Sequence, residues 1–113
     1  MRIFCFAFFF AAFFAGSANA ASFNCDLARA ADERAVCASR ALSEMDVEMA
    51  VRFQTLSGLV GMGTRGDMGD EQKAFLAVRR RCGASTACLT DAYRSRIAAL
   101  RKEYETLKSR GPF

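Results

Sequence analysis

Three stretches of this chain place apolar residues at steps of three and four, the period of a helix that buries one face. The first runs through Leu42, Met45, Met49, Phe53, Leu56 and Val60, with Ser43 as a candidate cap. The second is EQKAFLAVRRRC, with Asp70 as candidate N-cap and Phe75, Leu76, Val78 and the stem of Arg79 on its inner side. The third and longest passes through Leu89, Tyr93, Ile97, Leu100, Tyr104 and Leu107, and stops at Gly111 and Pro112. A shorter, weaker helix is expected between a cap at Asn24 or Asp26 and Cys37, with Leu27, Ala31 and Val36 as its apolar face. No segment alternates with period two. The pattern therefore predicts an all-α domain of three to four helices.

Between the second and third long helices lies GASTA, bracketed by Cys82 and Cys88. On an unbroken helix two cysteines six apart would stand about 9 Å apart, beyond the roughly 7 Å that a disulfide spans. The break brings pairing within reach. Gly83 can take the left-handed position that ends a helix, and Ser85 or Thr86 can cap the next, so a bond here would clamp an αα-corner. Upstream, Gly58, Gly61, Gly63, Gly66 and Gly69 crowd a short span, which reads as a flexible glycine-rich connection at 58–69. Gly61, Gly63 and Gly66 match the letters of a dinucleotide fingerprint. No strand precedes them and no acid follows at the spacing that holds a ribose, so nucleotide binding is not expected.

The amino end changes the size of the folded unit. Arg2 precedes thirteen apolar residues, IFCFAFFFAAFFA, followed by GSANA with small residues around the last bond, the pattern of a secretory signal peptide cut after Ala20. Thirteen residues are too few to span a bilayer. The expected organisation is a leader at 1–20 and one helical domain at 21–113, placed in the periplasm or outside the cell. A domain of that size has a thin core and gains from covalent support. Its four cysteines, Cys25, Cys37, Cys82 and Cys88, suit an oxidising compartment and allow three pairings. The two local pairings are favoured because each encloses a plausible turn between helical segments.

Charge divides the domain. Residues 21–72 carry five basic and nine acidic side chains, whereas residues 73–113 carry ten basic and three acidic. Arg79, Arg80 and Arg81, joined by Arg94, Arg96, Arg101 and Lys102, form a candidate surface for an anionic wall or membrane component. Asp67 and Asp70 in the glycine-rich stretch, with the acidic amino half, form the candidate surface for a basic protein. Glu44, Asp46 and Glu48 read as a solvated helix face, and Met45 and Met49 as core. The chain has no histidine, which removes Ser/His and Cys/His relays and any histidine-bearing zinc site. The cysteine spacings contain no C-x-x-C redox pair, and the carboxylates are scattered in a domain with little room for a deep cleft. A non-catalytic binding protein with no cofactor and no metal is the expectation, and no motif for reading nucleic acid is present.

Several of these residues together resemble the lysozyme inhibitor LprI-like domain family. Ser22, Phe23, Cys25 and Cys37 are similar to the opening of that family, and Leu42, Met45, Asp46, Met49 and Phe53 to its next element, with two Met replacements and Phe for Tyr. Gln72, Phe75, Leu76, Arg79 and Cys82 follow its third motif, Phe standing where Trp is usual. Cys88, Leu89, Tyr93, Arg96, Ile97 and Leu100 match its last without departure. The resemblance covers nearly all of residues 22–100. It implies an all-helical exported domain with the two local disulfides, and inhibition of a lysozyme-type cell-wall hydrolase as an activity to consider.

Overall fold

A computed structural model describes residues 20–111 of the chain. The leader expected at 1–20 therefore lies outside the described residues, apart from Ala20. A 3-10 turn, Cys25–Leu27, leads into four helices: α1 Ala31–Ala38, α2 Arg40–Leu59, α3 Met62–Cys82 and α4 Thr86–Lys108. The domain is all-α, and among the described residues there is no strand. No described helix is long and apolar enough to cross a membrane.

Helix boundaries follow local chemistry. Ser39 caps α2 by accepting the Leu42 N–H at 3.3 Å, so Ser43, assigned as a cap from sequence, instead lies buried inside the helix and donates to the Val36 carbonyl. The first helix also starts later than expected. Asn24 caps only the 3-10 turn, and α1 begins at Ala31, where Glu33 accepts the N–H groups of Arg29 and Ala30. Those two hydrogen bonds hold the Glu33 carboxyl below its usual range. Leu27, expected on an apolar face, is exposed.

Gly83 ends α3 with φ 56° and ψ −133°, a positive-φ conformation other than the left-handed helical one expected, and Ser85 caps α4 by accepting the Cys88 N–H at 3.3 Å, so the break forms where the sequence places it. Cys82 and Cys88 are bonded across it with Cα atoms 5.5 Å apart. Cys25 and Cys37 form the other bond, at 5.8 Å, tying the amino-terminal turn to the end of α1.

The largest departure from the sequence reading is the glycine-rich stretch. Residues 62–69 are helical and begin α3, leaving only Val60 and Gly61 as the link from α2. Asp70 accordingly sits well inside α3 and caps nothing. Packing outweighs glycine's poor propensity here. Met68 is buried, its carbonyl accepts Arg96 Nη2 at 3.3 Å, and Arg65 reaches back to the Ser57 and Val60 carbonyls at the end of α2. An added Cβ at Gly63 or Gly66 would meet nothing within 4 Å. Gly63→Ala and Gly66→Ala should therefore each raise stability by about 0.5–1 kcal/mol, measured by chemical denaturation. A loss at either position would mean that the stretch is not helical in solution.

Partner order gives the topology. Met49 meets Gln72 while Asp46 meets Arg79, so α3 runs antiparallel to α2. Phe75 packs on Tyr93 while Arg96 reaches Met68, so α4 is antiparallel to α3 and parallel to α2. The core gathers Leu42, Met49 and Leu56 of α2, Met68 and Phe75 of α3, and Leu89, Tyr93, Ile97, Leu100 and Leu107 of α4, closed at one end by Val36. Leu76, Val78 and Tyr104, expected inside, are exposed.

Candidate functional site

Four helices and the amino-terminal segment converge on a buried polar cluster. Asp46, in the stripe of α2 between Leu42 and Met49, is fully buried. Its Oδ1 accepts the Tyr93 hydroxyl of α4 at 2.7 Å, and its Oδ2 accepts the Ser22 N–H at 2.7 Å and the Ser22 hydroxyl at 2.5 Å. Arg79 of α3 donates from Nε to Asp32 of α1 at 2.8 Å and from Nη1 to the Tyr93 hydroxyl at 3.4 Å. The same Nη1 stands 3.7 Å from Asp46, and the guanidinium lies 5.3 Å from the Phe23 ring centre. Charges removed from water need such partners.

These contacts set the ionisation of the cluster. Burial first, and then the hydrogen bond to Asp46, push the Tyr93 phenol well above its ordinary value. Burial opposes the charge of Arg79, but Tyr93 and Asp32 outweigh it and raise the guanidinium further. A phenol whose folded pKa is raised contributes stability that is present below the unfolded value, about 10, and is lost as pH rises through the folded one. In a Tyr104→Phe variant the absorbance of the Tyr93 phenolate should thus grow only as the helical circular dichroism falls. Phenolate appearing while the helices persist would contradict the buried hydroxyl.

A second buried cation lies farther along the bundle. Arg96 donates to Gln72 Oε1 and to Glu71, both at 3.0 Å, and lies 5.9 Å from the Phe53 ring centre. Beside the first cluster, the amino-terminal segment, α2 and α3 border an open groove of about 480 Å³ with Phe23, Met49, Phe53 and Leu76 on its walls. Among the described residues no group of three or more Cys, Asp or Glu side chains could hold a metal ion.

The candidate surface residues separate accordingly. Arg79 is buried and spent on Asp32 and Asp46, which corrects its place in the arginine surface. Arg96 leaves that surface for the same reason, and Asp46 leaves the solvated acidic face. Arg101 pairs with Glu48 at 2.8 Å, and Glu48 also holds Arg52. Arg101 and then Arg52 keep the Glu48 carboxyl below its usual range. Arg80, Arg81, Arg94 and Lys102 remain exposed and form no ion pair among the described residues. Asp67 and Asp70 are exposed three residues apart on α3, Asp70 in a surface pair with Lys73.

The buried cluster went unread in the sequence, although a signal existed. Asp46 stands four residues after Leu42 and three before Met49, and Arg79 four after Phe75, so each occupies a core position of its helix. No family model, curated protein or solved structure matches this chain.

Proposed function

We propose that this chain is an exported, non-catalytic binding protein whose clamped corner holds an anionic component of the cell envelope. One observation carries the reading. Four of the nine acids of the amino half are taken up in pairs with cations, Asp32 and Asp46 by buried Arg79, and Glu71 and Glu48 in partly exposed pairs with Arg96 and with Arg101 and Arg52. Arg80 and Arg81, in the last turn of α3, are left exposed with no carboxylate partner among the described residues. The Cys82–Cys88 bond fixes the turn that follows them, so less order has to be imposed on binding.

A basic residue near an anionic surface contributes about 1 kcal/mol, so replacing two should weaken binding roughly thirtyfold, and reversing them more. The Arg80→Glu/Arg81→Glu variant should bind anionic vesicles or purified anionic wall polymer at least that much more weakly, with an unchanged thermal melt. Equal binding by the variant would remove the corner from the account.

The resemblance to lysozyme inhibitor LprI-like domains, which rests on the motif residues alone, supports a second reading as inhibitor of a lysozyme-type hydrolase. Asp67 and Asp70 favour it, since they are exposed on α3 and Asp67 has no ion pair among the described residues. A basic enzyme would meet these acids rather than the corner.

A further inference from the structure

We propose that cleavage of the Ala20–Ala21 bond is a modification that completes the buried polar cluster, the new Ala21 ammonium becoming the second cation facing Asp46. The inference rests on reading residues 1–20 as a removable leader. Hydrolysis by an export endopeptidase adds water across the amide, leaving a carboxylate on Ala20 and an ammonium on Ala21.

The cluster is short of positive charge. Asp32 and Asp46 are 2% and 0% exposed, and the one guanidinium between them is that of Arg79. Asp32 Oδ1 is buried with no hydrogen-bond partner. Among the described residues no neighbouring element supplies the missing cation. From α1, Glu33 adds a further carboxylate near the groove; from α4, Tyr93 offers a neutral hydroxyl; from α3, Gln72 is uncharged and Arg96 is taken up by Glu71.

The chain start is placed to supply it. Ala20 is exposed, Ala21 is buried at 9%, and the next residue gives both its N–H and its hydroxyl to Asp46 Oδ2. Successive backbone nitrogens are less than about 4 Å apart and the Ser22 nitrogen is 2.7 Å from Asp46, which puts the Ala21 nitrogen within roughly 7 Å of that carboxylate. An opposite charge at this range favours the charged form. In the uncut chain the same nitrogen is a neutral amide. The ammonium pKa, ordinarily about 7.7–8.0, should be raised in the folded protein. Its contribution is then present below the unfolded value and lost as pH rises through the folded one.

The test compares the 21–113 protein bearing a free amine with the same protein acetylated at Ala21. The free form should melt several degrees higher at pH 6.5, the gap closing at alkaline pH, and NMR titration of the amine should show a pKa about one unit above the ordinary value. Asp46→Asn, if folded, should abolish both differences. Equal melting of the two forms at every pH, with an ordinary amine pKa, would overturn the proposal and leave the leader reading standing. Mass spectrometry of the exported protein separates the two: a mature start other than Ala21 overturns both.

Discussion

Replacing Arg79 by methionine should cost about 3–5 kcal/mol, the loss expected when one partner of a buried ion pair is removed and the other stays charged. The variant leaves Asp32 and Asp46 facing each other without the guanidinium between them, and also removes a donor to the Tyr93 hydroxyl. Four helices share the damage, since the cluster takes one residue from each. Urea denaturation with a helical signal measures it. Converting Asp32 and Asp46 to asparagine in the Arg79→Met background should recover part of the loss, because the penalty comes from uncompensated charge. A loss below about 1 kcal/mol in the single variant would show that solvent reaches the cluster freely.

Reduction of both disulfides should have a comparable or larger effect. Closing loops of these lengths contributes about 3 kcal/mol for Cys25–Cys37 and about 2 kcal/mol for Cys82–Cys88 in the chain-entropy account. Small domains have a total stability starting near 5 kcal/mol, so the reduced and alkylated protein should be largely unfolded at 37 °C. The two bonds act at different places. The first holds the amino-terminal segment that carries Ser22 and Phe23 to the cluster, while the second holds the corner that joins α3 to α4. Single Cys-to-Ser pairs should separate them: loss of Cys25–Cys37 should release the Ser22–Asp46 contact, and loss of Cys82–Cys88 should loosen the arginine corner. An unchanged thermal melt after full reduction would contradict the assignment of stability to these bonds.

The helices were legible because their apolar stripes have length and period, and the corner because glycine, serine and two cysteines stand where a helix break needs them. The glycine-rich link is the exception, helical from Met62 onward where its composition predicts a loop. Propensity favours a loop there, but Met68 and the carbonyls met by Arg65 and Arg96 reward helix, and those contacts join residues 5–28 positions apart. The charge division was visible as a count and invisible as geometry. Arg79, Arg80 and Arg81 look alike in sequence, yet a helix turns about 100° per residue, so one enters the core while its neighbours face water. Tyr93 reads as an aromatic in a stripe until Asp46, 47 residues away, is brought to its hydroxyl.

The most direct test of the account offers the oxidised, Ala21-started protein two partners side by side: a purified anionic wall polymer and a basic animal-type lysozyme acting on cell walls. Saturable binding to the polymer, weakened by salt and by Arg80→Glu/Arg81→Glu, is the expected result, with no change in the lysozyme rate at large molar excess. Stoichiometric inhibition of lysozyme by the folded form alone, without polymer binding, would contradict it and move the site to Asp67 and Asp70.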